Sequence, residues 1–253
     1  MKMDPQRYYD AFSEGYDSRR HDGYHALLDE LESALVQAYC TDRHVLDAGC
    51  GTGLILQRVQ RELRSLVGAD LSGGMLRKAA TRSTASLVQA SLTQLPFADA
   101  SFDAAYSFKV LAHIPDIRGA VAELGRVVKP GGHLLLEFYN PLSIRGLLWH
   151  LKRPGRIARG VRERDVFVRF DTPHRAQSYL PDNFSVVETR GIRVVTPFAQ
   201  LLRMPGLGPL VADAERLLAT SPARVLGSFF VVVAQRRDGG ECCDDAPAAP
   251  RSH

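Results

Sequence analysis

The sequence is poor in cysteine, and the four it has are badly placed for chemistry. Cys40, Cys50, Cys242 and Cys243 fall at no metal-ligand spacing and make no disulfide framework, so a reduced, cytoplasmic setting and no metal are expected. No run approaches the ~18 consecutive apolar residues that a membrane helix needs. Met1 to Asp10 lack the apolar stretch of a secretory signal. Two familiar glycine-loop signatures are also missing. The dinucleotide turn G-x-G-x-x-G/A fails because Leu54 stands where its last small residue belongs, and no Lys-Ser/Thr pair follows the glycines to make a phosphate-cradling loop. No internal repeat is visible. What remains is ordinary: 45% hydrophobic and 24% charged residues over 253 positions, enough for one α/β domain with insertions.

The most informative stretch is Val45-Leu46-Asp47-Ala48-Gly49-Cys50-Gly51-Thr52-Gly53. An apolar run turns into an acidic residue and three alternating glycines, and a helix-like segment follows. Such a strand-loop-helix lets backbone pass close to a ligand, because glycine tolerates positive φ and carries no Cβ. A carboxylate at Asp47 would repel a phosphate and suits a ligand with a positive charge. Around this loop, short apolar runs alternate with helix-period segments. Strands are predicted at 44–48, 66–70, 86–90, 103–108 and 134–138, with helices over 5–39, 54–63, 75–81 and 117–128. That alternation implies a parallel sheet covered on both faces. Beyond Asn140 it stops. A long strand is predicted over 184–195, a broken helix over 197–221, and a β-branched strand over 225–234.

Four signals in order resemble the class I S-adenosylmethionine-dependent methyltransferases, over roughly residues 7 to 140. Asp47 to Gly53 resembles the family's first motif. Leu66 to Ser72 resembles its second strand, ending in the acidic residue Asp70. Leu95-Pro96-Phe97 with Ser101-Phe102-Asp103 resembles the run before its fourth strand, and Val128 to Leu134 the turn into its fifth. The match is closest to the small-molecule group that includes the ubiquinone and menaquinone methyltransferases. The resemblance implies a Rossmann-like, doubly wound, seven-stranded α/β sheet, mostly parallel, with an antiparallel last strand beside the fifth and helical lid insertions. It implies one domain over 1–237, with a cap at 1–40, a cofactor-binding core at 41–140, and acceptor-binding insertions at 141–181 and 197–223. The tail 238–253 reads as disordered.

The cofactor implied is S-adenosyl-L-methionine. By resemblance its site takes Asp47, Gly49, Cys50, Gly51 and Gly53 in the loop, and Asp70, Leu71 and Met75 after the second strand, where Asp70 accepts from the ribose hydroxyls. Ser91 and Leu92 would flank the adenine; the family often has an aspartate at the position of Ser91. Ser107 and Phe108 follow the fourth strand. The stretch Tyr8 to Asp17 resembles a helix that folds over the cofactor, and Tyr16 is the ring expected near the sulfonium, since an aromatic face attracts a cation. Cys50 reads as a small residue fitting a tight loop. His113 is either a general base or a packing residue. Methyl transfer to an acceptor already nucleophilic needs little besides alignment, so no catalytic residue is required.

For the acceptor, Lys109, His113, Arg145, Met204 and Leu207 are the candidates. Eight bases between Pro141 and Phe170 (Arg145, Lys152, Arg153, Arg156, Arg159, Arg162, Arg164, Arg169) face only Glu163 and Asp165, a local charge of +6 against +4 for the chain. This is either a solvated face or attraction for an anionic partner, be it a small or lipid-like acceptor or a membrane surface. The Asp/Asn-Pro-Pro-aromatic turn of amino methyltransferases is replaced by Ser107-Phe108-Lys109-Val110. No nucleic-acid-binding module accompanies the basic segment. Methylation of RNA or protein, and a non-catalytic cofactor-fold scaffold, are the alternatives.

Overall fold

A computed structural model describes residues 4–14, 16–17, 24–143, 146, 156–158, 161–162, 167–196, 202, 204 and 206–238. The basic stretch from Arg145 to Arg164 falls largely outside them, as do Phe198, Leu201 and the tail beyond Asp238.

Two helices come first, α1 (Pro5–Ser13) and α2 (Tyr24–Cys40), where the sequence predicts one helical run. Asp4 caps α1 by accepting from the Arg7 amide, and Pro5 at its first turn lacks the N–H that would be orphaned there. Then follow β1 (His44–Ala48), α3 (Leu54–Val59), β2 (Ser65–Asp70), α4 (Gly73–Ala79), β3 (Ser86–Gln89), β4 (Phe102–Ser107), a 3-10 turn (Leu111–His113), α5 (Ile117–Val127) and β5 (Val128–Tyr139). A short hairpin, β6 (Arg156–Ala158) with β7 (Val161–Arg162), precedes α6 (Pro173–Gln177), β8 (Phe184–Ile192), α7 (Leu207–Leu218) and β9 (Phe229–Arg236).

Seven strands make one sheet in the order β3-β2-β1-β4-β5-β9-β8. The pairs from β3 to β5 are parallel, and β9 runs antiparallel to both β5 and β8. The predicted boundaries shift where local geometry intervenes. β8 stops at Ile192 because Arg193 has φ +63, and α3 ends at Val59 in a turn closed by the Glu62 amide on the Val59 carbonyl. β5 begins at Val128 and carries a register shift across Lys129–Gly132, where a turn was expected.

Side-chain alternation along each central strand feeds two cores. Leu46, Ala105, Leu134, Leu136, Phe230 and Val232 enter the layer packed by Ile117, Val121 and Leu124 of α5. Val45, Ala104, Tyr106, Leu135, Val231 and Val233 enter the opposite layer, with Leu28, Leu35 and Val36 of α2 and Leu56 of α3. A period of two on strands covered on both faces explains their near-continuous apolar sequence. Strand order reverses between β1 and β4, and a crevice opens at their carboxyl ends, where open α/β sheets bind ligands.

Candidate functional site

The loop leaving β1 is held open by its glycines, each in a different way. Gly49, Gly51 and Gly53 have φ of +89, +53 and +80. A Cβ on Gly49 would lie 2.2 Å from a Val110 methyl, one on Gly53 would meet Ala79 at 3.0 Å, and one on Gly51 would meet nothing within 4 Å. Gly49 and Gly53 therefore serve packing, and Gly51 borders open space. Asp70, at the end of β2, pins this loop: Oδ2 accepts from the Gly51 amide at 2.9 Å and Oδ1 from the Ser72 amide at 2.8 Å. A carboxylate has about four acceptor sites, so two remain for a ligand diol. Burial raises the Asp70 carboxyl above its usual range, opposed by these two amides.

The crevice is a cavity of about 430 Å³, and its wall includes Pro5, Tyr9, Tyr16, Asp29, Glu32, Asp47, Gly49–Thr52, Asp70, Leu71, Met75, Ser91–Thr93, Tyr106, Phe108–Val110 and His113–Asp116. That size falls within the range of ligand pockets. The N-terminal segment is tied across it. Asp10 Oδ1 accepts from the Ser72 hydroxyl at 2.5 Å and the Gly74 amide at 2.9 Å. Asp17 accepts from the Thr52 hydroxyl and pairs with Arg82 at 2.8 Å. Tyr9 and Tyr16 thereby join the wall, and burial keeps the Tyr9 phenol protonated.

Of the residues singled out in the sequence, Tyr16, Asp47, Gly49, Cys50, Gly51, Asp70, Leu71, Met75, Ser91, Leu92, Phe108, Lys109 and His113 come together in this wall. Four stand elsewhere. Gly53 caps α3 against Ala79. Ser107 is buried, its hydroxyl donating to the Ala48 carbonyl at 2.8 Å, so it staples β4 to β1. Met204 and Leu207 are exposed and outside the wall. The helix α7, which begins at Leu207, is anchored elsewhere: buried Glu215 accepts from the Val194 and Val195 amides and the Thr196 hydroxyl. Arg145 lies outside the described residues. Ser91 Oγ is within 2.8 Å of Thr93 Oγ1, which brings Thr93 into the wall as well.

His113 is oriented for a definite tautomer. Its Nδ1 lies 3.1 Å from the Phe167 carbonyl, which can only accept, so Nδ1 carries the proton and Nε2 the lone pair. The Phe167 strap is itself fixed by the Arg169 amide on the Ala112 carbonyl at 2.8 Å. Burial lowers the His113 pKa and keeps the ring neutral, against the pull of that carbonyl. Tyr9 and Tyr139 pack edge-on against it at centroid distances of 6.1 and 5.6 Å.

Sequence reasoning missed a second polar cluster in the cavity wall. Asp29 and Glu32 of α2 are buried and both bind the Lys109 ammonium, at 3.2 and 2.7 Å. Lys109 has φ +62, a left-handed conformation rare for a residue with a side chain, and its amide donates to Glu137 Oε1 at 3.1 Å. Acidic positions recurring on the leucine-bearing face of α2 were the available signal. Among the described residues no group of His, Cys, Asp and Glu is arranged for a metal, and no helix is long and apolar enough to cross a membrane.

Comparison with known proteins bears on this geometry. Residues 46–136 match the family model of the methyltransferase domain. An uncharacterized methyltransferase of Mycobacterium tuberculosis is 36% identical over 131 residues, covering 51% of this chain and 64% of that protein. The chain thus spans less than two thirds of that relative's length. A malonyl-acyl-carrier-protein O-methyltransferase of Erwinia billingiae is 34% identical over 164 residues, 62% of each chain. A solved SAM-dependent methyltransferase of Thermotoga maritima shares the fold, with a TM-score of 0.68 at 16% identity, covering 91% of this chain and 99% of that one. With its glycine loop and sheet order, the chain matches the methyltransferase domain over residues 46–136 and has the fold of solved SAM-dependent methyltransferases.

Proposed function

We propose that the protein transfers the methyl group of S-adenosylmethionine to a small or lipid-like metabolite by in-line displacement. The observation that carries this reading is that the glycine loop, Asp70 and the lone-pair-bearing ring of His113 border one cavity. In this reading Asp70 holds the ribose diol, Gly49–Thr52 the backbone of the cofactor, and Ser91 and Leu92 the adenine. The wall carries five carboxylates, on Asp29, Glu32, Asp47, Asp70 and Asp116, which suits a sulfonium. Tyr9, Tyr16 and Phe108 add aromatic faces that stabilise a nearby cation by ~0.5–2 kcal/mol each.

For a hydroxyl acceptor, the O–H proton passes to His113 Nε2 as the oxygen attacks the methyl carbon and the sulfonium–methyl bond breaks; the products are the methyl ether, S-adenosylhomocysteine and imidazolium. The one cation in the described wall, Lys109, is already held by Asp29 and Glu32. An anionic group on the acceptor, which the basic stretch 145–169 favours, therefore finds no further Lys or Arg among the described residues of this wall. Resolved small-molecule extracts, incubated with protein and methyl-labelled S-adenosylmethionine, should yield a labelled low-mass product. Label appearing only in RNA or protein would overturn the reading.

A further inference from the structure

The cluster beneath the glycine loop is unusual in its charge. Four carboxyls, those of Asp29, Glu32, Asp47 and Glu137, are buried in this cluster, and the Lys109 ammonium pairs with two of them, Asp29 and Glu32. They come from three elements: Asp29 and Glu32 from α2, Asp47 from β1 and Glu137 from β5. Lys109 satisfies Glu32 and Asp29 through Nζ and Glu137 Oε1 through its backbone amide. Two buried polar atoms are left over. Glu137 Oε2 and Tyr106 Oη meet no hydrogen-bond partner of good geometry, and the Tyr106 side chain, fully buried, lines the cavity beside Asp47. Unpartnered buried polar atoms are rare because each costs ~1–3 kcal/mol.

Both leftovers are explained by a proton and a ligand. Glu137 and Glu32 face one another, and two carboxylates cannot bond unless one holds a proton. Burial first, and then the Glu32 charge, push Glu137 well above the ordinary carboxylate range, with Lys109 opposing. Burial likewise raises Asp47, with Asp70 and Glu32 adding to it and Tyr106 opposing. The remaining titratable neighbours, the Cys40 and Cys50 thiols and the Tyr106 phenol, are pushed up by burial and stay neutral.

We propose that this recess receives the ammonium group of a ligand between Asp29, Glu32 and Asp47, and that its arrival drives a proton from the Glu32–Glu137 carboxyl pair into solvent. The inference rests on the methyltransferase reading, since S-adenosylmethionine and its product both carry an α-ammonium; an amine on the acceptor is the other source. A new positive charge a few ångströms from the shared proton favours the ionised pair. The bound form has the lower carboxyl pKa, so affinity is level at low pH, rises with pH between the bound and free values by up to tenfold per unit, and levels off above the free value.

The test is calorimetric titration at pH 7 in phosphate and in Tris, whose different ionisation enthalpies report protons exchanged. S-adenosylhomocysteine, which has the ammonium, should release up to one proton per site. Methylthioadenosine, which lacks the amino-acid end, should bind with none. Glu137→Gln should still bind S-adenosylhomocysteine with the release abolished. Release only when butylamine is added to the S-adenosylhomocysteine complex would support the site and assign it to the acceptor. Binding of S-adenosylhomocysteine with no proton exchange in either titration would overturn the proposal while leaving the cofactor assignment standing. Failure of both adenosine ligands to bind would overturn the cofactor assignment itself.

Discussion

Two glycines two residues apart should fail in different ways when given a methyl group. At Gly49, φ is +89 and an added Cβ would lie 2.2 and 2.8 Å from the two Val110 methyls. The left-handed conformation costs about 1–2 kcal/mol with a Cβ, and forcing Val110 aside about 1–3 kcal/mol more. Gly49→Ala should therefore lose about 2–5 kcal/mol, a fall in melting temperature of roughly 4–20 °C for a chain of this size. At Gly51 the added Cβ meets nothing within 4 Å, and the residue borders the cavity. Gly51→Ala should lose only the conformational cost of about 1–2 kcal/mol, but its methyl projects where the cofactor would lie. Thermal melts and calorimetric titration with S-adenosylhomocysteine on both variants separate the effects. Gly49→Ala should be the less stable protein, and Gly51→Ala should bind at least tenfold more weakly than its small stability loss explains. Gly51→Ala binding like wild type would refute a close approach of ligand to this backbone.

Other perturbations follow from the same contacts. Asp70→Ala leaves the Gly51 and Ser72 amides without their acceptor and removes the diol partner, so S-adenosylhomocysteine affinity should fall at least tenfold, about 1.4 kcal/mol; unchanged titration curves would count against it. His113→Gln should slow turnover of a hydroxyl acceptor by about 10²–10⁴-fold while sparing cofactor affinity. In the wild type the neutral imidazole is the active form and burial lowers its pKa, so the rate should hold below pH ~6.5, where a free imidazole would protonate, and fall only as pH drops through the lowered value. A pH–rate profile that is flat through acid would remove the base. Glu215→Ala, outside the cavity wall, should cost about 2–4 kcal/mol by stranding two backbone amides and the Thr196 hydroxyl, with ligand affinity intact; denaturant unfolding and titration together check this.

The glycine loop and Asp70 were legible in the sequence because their geometry is local: a strand, a turn and a helix written in consecutive residues. Strand alternation and the helix-period segments fixed the layers for the same reason. Ser107 misled because position at a strand end says nothing of which way its hydroxyl turns, and this one turns to the Ala48 carbonyl. Met204 and Leu207 have the composition of a pocket, but composition does not say where a side chain faces, and these two are exposed outside the cavity wall. Asp29, Glu32 and Glu137 were illegible as a site, since residues 105 apart in the chain meet only when α2 packs on the sheet beneath the loop. The strain at Lys109 likewise appears only in the folded backbone.

The most direct measurement is a calorimetric titration of the purified protein with S-adenosylhomocysteine and, separately, with NAD. One S-adenosylhomocysteine per chain in the wild type, at least tenfold weaker in Asp70→Ala, with no heat from NAD, is the expected result. Binding of NAD with none of S-adenosylhomocysteine would leave the fold in place and contradict the function.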